Sequence, residues 1–301
     1  WKSIIRPPRD VYTTDLLGDE IFNYRGVTYL RKDYELLNNR GELLKCSFVE
    51  PTEETRPQEI MPVIIYLHGN SSSRIEGLKC LPELLKRGIN LFVLDFAGCG
   101  LSEGEYISLG WHEREDVGVI VDFVEKIPRV GKLGIWGRSM GAATSLLFNE
   151  KEKRIFAAVY DSPFSDFTML AKELCKKHAN LPNFLVSIAL TFIRSSIMER
   201  NGLDIYKLNP VEVAPSIKCP GLFIHAMNDE LISLDHTLSI FDKYEGEKSL
   251  NICEGGHNTA RQKHIMEKVG EFFKKHLSNA EEENIEVYEK KKGVNESQVE
   301  K

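Results

Sequence analysis

The chain alternates between short apolar runs and longer stretches in which apolar residues recur every three or four positions. The short runs predict buried β-strands, and the recurring pattern predicts amphipathic helices. Strands are expected over residues 33–37, 43–50, 63–67, 91–95, 132–136, 157–160, 221–225 and 249–253. Helices are expected over residues 75–87, 112–126, 234–244 and 259–276, and directly after the fifth strand. Because helices separate almost wholly apolar strands, the pattern predicts an α/β fold with a mostly parallel twisted sheet and helices on both faces.

The alternation is interrupted between the sixth and seventh predicted strands. Residues from about 164 to 215 contain helical patterns only, and such an insertion is where a small helical cap would lie. Its most apolar run, residues 181–193, contains Pro182 and Asn183 and is too short to span a bilayer. This run is expected to line an acyl pocket or touch a membrane surface, or else to be buried against the sheet.

The pattern therefore predicts a single domain over residues 1–277, with a tail over residues 278–301. The tail holds seven Glu against four Lys and almost no large apolar residues. That composition is typical of a disordered, solvated segment.

Composition and charge exclude several classes of partner. A net charge of −6 gives no basic footprint for a nucleic acid or for an anionic membrane. The six cysteines lack C-x-x-C or His-paired metal spacing, which favours reduced thiols in a cytoplasmic protein over disulfides and predicts no metal. No signal-peptide core is present at the start. The chain begins at Trp1 and not at Met, which leaves an upstream anchor or targeting segment open.

The sequence from Gly137 to Gly141 lies where an apolar strand gives way to a helix rich in small residues. A G-x-S-x-G pattern in that position is typical of a nucleophile elbow, a strained turn that exposes a serine at the helix N-terminus. Ser139 is the candidate nucleophile. A surface turn that matches the pattern by chance is the alternative, so the rest of the chain has to decide.

A nucleophilic serine needs a base and a carboxylate that orients the base, and in this fold class they follow in the order Ser, acid, His. His257 comes after the last predicted strand and two glycines, and is the candidate base. Asp229 follows the seventh predicted strand and is the candidate acid. Asp161, after the sixth, is the alternative acid. Capping of a loop or helix is the structural alternative for each of them.

The oxyanion hole of such a site has two backbone donors. One is the amide of the residue after the nucleophile, here Met140, and the other follows an earlier strand. His68, Gly69 and Asn70 come directly after the third predicted strand, so the Asn70 amide is the second candidate donor. The glycine turn over residues 95–102 lacks the ending and full spacing of a nucleotide-binding loop, and no cofactor is expected.

At this point the chain resembles the alpha/beta-hydrolase superfamily, within its serine-aminopeptidase-like group, and is particularly similar to a plant and protist branch. The resemblance spans roughly residues 4–277. It is carried by the segments IRPPR at 5–9, CS at 46–47, HGNS at 68–71, LDF at 94–96, GCGLS at 98–102, LGWHE at 109–113, WGRSMGA at 136–142 and GHN at 256–258. It implies Ser139, Asp229 and His257 as a catalytic triad. It does not imply aminopeptidase activity, because proline-releasing enzymes of this type have a larger cap with an acidic pocket for the substrate amine, and the sequence shows no such cluster.

Together these expectations favour a serine hydrolase that cleaves a carboxylic ester or thioester with an apolar acyl chain through an acyl-enzyme. The substrate would be a small molecule or lipid-like. A serine peptidase is the second hypothesis. A non-catalytic binding protein, a lyase or an acyltransferase on the same fold are further alternatives. Membrane contact through the cap is a further hypothesis, and the sequence leaves the oligomeric state open.

Overall fold

The alternation of apolar runs and amphipathic stretches folds into one mixed sheet covered by helices. The structure is a computed structural model and describes residues 1–179 and 182–278. Within this part of the chain nine strands form the sheet, in the order β1-β2-β3-β5-β4-β6-β7-β8-β9. The strands are β1 Ile21–Tyr24, β2 Val27–Leu37, β3 Leu43–Pro51, β4 Met61–Leu67, β5 Asn90–Leu94, β6 Val130–Arg138, β7 Ile155–Asp161, β8 Gly221–Ala226 and β9 Lys248–Cys253. Pairing is antiparallel from β1 through β3 to β5 and parallel among all the others.

The helices lie between the strands and over both faces of the sheet. They are α1 Lys2–Ile5, α2 Ile75–Leu78, α3 Leu81–Leu85, α4 Glu113–Val124, α5 Met140–Asn149, α6 Phe167–Ala179, α7 Asn183–Asn201, α8 Pro210–Val213, α9 Leu234–Lys243 and α10 Lys263–Leu277. The predicted α/β class, with its mostly parallel sheet, is confirmed.

Strand β4 shows why the sheet needs helices on both faces. Ile65 on β4 packs on the side of α4 and α5, whereas its neighbour Ile64 packs on the side of α3 and α10. Both side chains are fully buried. Successive side chains of a strand point to opposite faces, so a run of apolar residues can be buried only when both faces are covered.

The prediction and the structure differ, among other places, at β1, at β2 and at the helix predicted over residues 75–87. Strand β1 was not predicted, because its side chains alternate between exposed and half-buried positions at the sheet edge. Strand β2 begins at Val27 rather than at residue 33. The helix predicted over residues 75–87 is two short helices, α2 and α3, and Pro82 at the start of α3 has no backbone N–H with which to continue the first.

Helices α6 and α7 form the cap that was predicted after the sixth strand. Because β1 was not predicted, the preceding strand is β7 of the structure. The predicted tail lies outside the described residues, apart from Ser278. Among the described residues, no helix is both long and apolar enough to cross a bilayer.

Candidate active site

The turn between β6 and α5 holds Ser139 in a backbone conformation that few residues other than glycine adopt. Its φ is 53° and its ψ is −116°. Glycines on either side allow the close approach that this turn requires. A Cβ on Gly137 would lie 2.3 Å from the carbonyl oxygen of Gly141, and a Cβ on Gly141 would lie 2.0 Å from the carbonyl oxygen of Leu67. The local geometry is therefore that of a nucleophile elbow.

The structure brings the three predicted triad residues into contact. The Nε2 atom of His257 lies 2.9 Å from the Oγ atom of Ser139, and its Nδ1 atom lies 2.6 Å from Oδ2 of Asp229. Asp229 follows β8 and His257 follows β9, so each side chain comes from a loop at the carboxyl end of a parallel strand. The side chains of His257 and Asp229 are only 6% and 2% exposed, which shields their hydrogen bond from water.

Asp229 is held in its ionised form by the groups around it. Burial raises the pKa of this carboxyl, but the hydrogen bond with His257 and those from the backbone amides of Ile232 and Leu231 lower it. The pKa consequently lies below its ordinary value. An ionised carboxylate at this position can fix the imidazole tautomer and stabilise the imidazolium ion.

Asp161, the alternative acid, is not brought to His257. Its carboxylate accepts hydrogen bonds from Nη2 and Nε of Arg261, at 2.7 and 2.9 Å. The two side chains are 2% and 5% exposed, so they form a buried ion pair. Arg261 also donates to the carbonyl oxygen of Thr259 at 3.1 Å. Asp161 therefore anchors the loop that carries His257 and does not orient the imidazole.

Two further side chains that the sequence analysis missed hold the same loop. Nη2 of Arg138 donates to the carbonyl oxygen of His257 at 2.7 Å. The backbone N–H of His257 donates to Oε2 of Glu230 at 3.3 Å. Both lie next to predicted site residues, Arg138 beside the serine and Glu230 beside the acid. Adjacency in sequence was the available signal for them.

His225 is a buried polar residue close to Asp229. Its Nδ1 atom accepts from the hydroxyl of Thr237 at 2.8 Å, so Nε2 carries the proton and donates to the carbonyl oxygen of Ile232 at 3.0 Å. Burial lowers the pKa of His225, although Asp229 opposes this effect. The neutral ring supports the chain segment whose amides bind Asp229. A histidine inside an otherwise apolar strand was the signal for it.

The two predicted oxyanion donors lie beside the serine. A Cβ built on Gly69 would lie 3.7 Å from the Cβ of Ser139, which places the start of the loop carrying Asn70 against the nucleophile. Within the described residues, neither the Asn70 nor the Met140 amide donates a hydrogen bond to a protein acceptor. Both donors are thus available to a ligand oxygen, as an oxyanion hole requires.

His68 has a structural role next to this loop. Its Nδ1–H donates to the carbonyl oxygen of Gly69 at 2.7 Å, and its Nε2 accepts the backbone N–H of Phe96 at 3.1 Å. The ring is fully buried. It therefore fixes the end of β4 against the end of β5 and supports the oxyanion loop without reaching the serine.

A cavity of about 780 Å³ opens above Ser139 and His257. Its walls on the cap side are apolar, with side chains from α6 and α7, namely Phe167, Leu170, Ala171, Leu174, Cys175, Leu190 and Ile193. The polar lining, called the polar wall below, comes from outside the cap and consists of Asp10, Asn70, Ser71, Ser72, Ser73, Glu76, Lys79 and Arg138. Apolar side chains from outside the cap, among them Ile4, Ile75 and Leu109, also line the cavity. The site thus offers a nucleophile in a cavity with an apolar cap side and a polar wall.

The family model described as X-Pro dipeptidyl-peptidase (S15 family) matches residues 29–201, more than half of the chain. The chain belongs to this family. A second model, described as PhoPQ-activated pathogenicity-related protein, matches residues 155–300. Membership of the alpha/beta-hydrolase superfamily, which the sequence predicted, is confirmed, and the family places the chain among hydrolases.

Similar proteins with known sequences come from bacteria and vertebrates. The uncharacterised protein YqkD of Bacillus subtilis is 27% identical, over 83% of this chain and 85% of that protein. The lysophosphatidylserine lipase ABHD12 of Danio rerio is 27% identical, over 64% of this chain and 50% of that protein. The match therefore spans only half the length of the lipase.

Solved structures show the same fold. The Pyrococcus furiosus esterase Pf2001 superimposes with a TM-score of 0.68 at 23% identity, over 90% of this chain and 99% of that one. Acetyl xylan esterase 1 from Thermoanaerobacterium gives a TM-score of 0.65 at 17% identity, over 85% of this chain and 86% of that one. These likenesses confirm the alpha/beta-hydrolase fold.

Proposed function

We propose that this protein is a serine hydrolase that cleaves a carboxylic ester or thioester with an apolar acyl chain, through an acyl-enzyme on Ser139. One observation carries the proposal. The Oγ atom of Ser139 lies 2.9 Å from Nε2 of His257 at the floor of a cavity whose cap side is apolar. A nucleophile and its base in hydrogen-bond contact, beneath a chamber that accepts hydrocarbon, are the two requirements of acyl-ester hydrolysis.

In the proposed reaction, His257 accepts the Ser139 proton as the oxygen attacks the substrate carbonyl. Asp229 stabilises the imidazolium ion that forms. The carbonyl oxygen becomes an oxyanion within reach of the Asn70 and Met140 amides, and each such donor stabilises the transition state by about 2.7–4 kcal/mol. His257 then protonates the alkoxide or thiolate leaving group. A water molecule, deprotonated by the same histidine, attacks the acyl-enzyme and releases the acid.

The division of the cavity suggests an amphipathic substrate. The acyl chain would lie against Phe167, Leu174 and Leu190 of the cap, and the alcohol or thiol portion would face the polar wall. The similar lipase from Danio rerio is, by its name, a lysophosphatidylserine lipase. That name supports an acyl ester of a glycerolipid with a single chain as the first natural substrate class to test.

A serine peptidase is the second candidate, and the family model supports it. A peptidase that acts at the N-terminus of its substrate, such as a dipeptidyl-peptidase, needs a carboxylate that binds the substrate amine. The acidic residues that line the cavity are Asp10 and Glu76. Glu76 already accepts the hydroxyl of Tyr66 at 2.8 Å and lies 3.6 Å from Nη1 of Arg138. This leaves Asp10, whose Oδ2 accepts the hydroxyl of Ser73 at 2.9 Å, as the candidate amine-binding carboxylate, a weaker arrangement than the acidic pocket expected of such an enzyme. The similarity of this chain to a plant and protist branch of the superfamily stays a prediction.

The purified chain should be assayed on p-nitrophenyl esters from acetyl to dodecanoyl, on the matching acyl thioesters, and on X-Pro p-nitroanilides. We expect kcat/KM to rise with acyl length and the anilides to be cleaved at least a hundredfold more slowly. Ser139→Ala should abolish turnover and labelling by a fluorophosphonate probe. Preferential cleavage of the anilides would favour the peptidase, and a folded chain that neither turns over an ester nor labels would contradict both enzymes.

A further inference from the structure

Helix α7 carries large apolar side chains on its outer face as well as on its inner face. Leu190 and Ile197 are buried, at 4% and 0% exposure. Phe184, Ile188 and Phe192 are 65%, 54% and 74% exposed. Their spacing of four residues puts these three side chains along one stripe of the helix. A row of large exposed apolar side chains marks a contact surface, so this stripe points to a surface that covers it.

The net charge of the cap helices is opposite in sign to the net charge of the whole molecule. Residues 167–201 hold five Lys and Arg against two Glu, although the whole chain carries a net charge of −6. Lys172 and Lys176 of α6 have no ion-pair partner among the residues that the structure describes. Lys177 donates to the carbonyl oxygen of Glu230 at 2.7 Å and forms no ion pair within residues 1–179 and 182–278. Arg194 is paired with Asp204 at 2.6 Å, so the positive charge that stays without an ion-pair partner in the described part of the cap is that of the α6 lysines, beside an exposed apolar stripe.

We propose that the outer face of the cap docks onto an anionic phospholipid surface. This face is defined as the stripe of Phe184, Leu185, Ile188 and Phe192 on α7 together with Lys172 and Lys176 on α6. The two lysines are four residues apart and so share one side of α6, and neither lines the cavity. Aromatic and aliphatic side chains would enter the boundary between headgroups and acyl chains, and the lysines would bind the anionic headgroups. A second copy of the chain fits less well, because it would bring two cationic caps together.

The inner side of the same helix supplies the functional link. Leu190 and Ile193 line the cavity above Ser139. Docking would therefore place the apolar wall of the cavity about one helix diameter, roughly 10 Å, from the lipid surface. A substrate with one acyl chain could then pass from the bilayer into the chamber without crossing bulk water. The docking itself goes beyond the proposed hydrolysis and is measurable in Ser139→Ala, so the two proposals fail separately.

The test is flotation of the full chain with vesicles of phosphatidylcholine and phosphatidylserine at 70:30, compared with vesicles of phosphatidylcholine alone. The variant F184S/F192S changes two exposed side chains outside the cavity lining. The matched control I21S/L37S changes two residues that are 62% and 61% exposed at the other end of the sheet. Hydrolysis of a short soluble ester and circular dichroism report whether each variant is folded.

We expect the wild-type chain and I21S/L37S to float with the anionic vesicles, and F184S/F192S to bind at least tenfold more weakly. K172E/K176E should also bind at least tenfold more weakly, and raising the salt concentration should weaken wild-type binding, because exposed charges are screened. This second variant keeps the test decisive if F184S/F192S does not fold. Three results would overturn the proposal: no binding of the wild-type chain at low salt, equal losses in I21S/L37S and F184S/F192S, or a dimer in solution that F184S/F192S converts to a monomer.

Discussion

Asp161 and Asp229 are the same residue type at the ends of neighbouring strands, but their different surroundings give them different roles. Asp229 contacts His257, whereas Asp161 is paired with the buried Arg261. We predict that Asp229→Asn lowers kcat for a short ester by about 10³–10⁴-fold, because asparagine can neither fix the tautomer nor stabilise the imidazolium ion. The free energy of unfolding should change little by comparison.

Asp161→Asn should show the reverse pattern. It leaves the Arg261 guanidinium buried without its counter-charge, which typically costs about 3–5 kcal/mol. We expect the folded fraction to keep its kcat to within about tenfold, since the Ser139–His257–Asp229 contacts are untouched. Chemical denaturation and active-site titration separate the two effects. A larger kcat loss in Asp161→Asn than in Asp229→Asn would make Asp161 the acid.

At this scale the sequence could predict which residues meet but not what supports them. Ser139, Asp229 and His257 could be placed together because chain order and strand ends determine where they lie in a parallel sheet. The roles of Arg138 and Arg261 could not be predicted, since each depends on a partner more than 90 residues away, His257 and Asp161. Long flexible side chains reach such partners only after the fold has formed.

Two elements that position Ser139, helix α5 and strand β4, meet at Gly141. The next prediction concerns this contact. A Cβ there would lie 2.0 Å from the backbone carbonyl of Leu67 at the end of β4. Because backbone cannot rotate away as a side chain can, Gly141→Ala should lower the free energy of unfolding by about 3 kcal/mol or more. Helix α5 would have to move, so ester hydrolysis should fall even in the folded fraction.

Gly118 in the middle of α4 is the matched control. A Cβ there would meet only the Phe148 ring, at 3.8 Å, an ordinary contact. Gly118→Ala should therefore stabilise the protein by roughly 0.5–1 kcal/mol through the loss of backbone freedom in the unfolded chain. Urea denaturation of both variants measures the difference. Equal stability of the two would show that α5 does not approach β4 as closely as the structure describes.

Burial on both faces of the sheet made strand β8 easy to predict from the sequence. The run predicted over residues 221–225 is Gly221–Ala226 in the structure, and every residue of that strand is buried. The edge strand Ile21–Tyr24 has no buried residue and no comparable pattern. Burial made the central strands recognisable and β1 lacked that signal, whereas β9 at the opposite edge was predicted over residues 249–253 and spans Lys248–Cys253 although only one of its residues is buried.

At the scale of the whole molecule, the six cysteines are all free thiols. Four of them are buried and two are half-buried. Burial raises the pKa of Cys46, Cys80, Cys99 and Cys253. A thiol that is both inaccessible and un-ionised reacts slowly, because the thiolate is the nucleophile. These four should therefore react with a disulfide reagent at pH 8 only when the protein unfolds.

Cys175 differs because it is half-buried on α6 and lines the cavity above Ser139. We predict one rapidly reacting equivalent that Cys175→Ser removes. Cys219 is also half-buried but has a pKa raised by burial, so it should react more slowly. If an acyl chain occupies the cap side of the cavity, a saturating non-hydrolysable ligand such as a decyl ether should slow Cys175 labelling by about tenfold and leave Cys219 unchanged. A ligand that inhibits ester hydrolysis without protecting Cys175 would place the acyl chain elsewhere in the cavity.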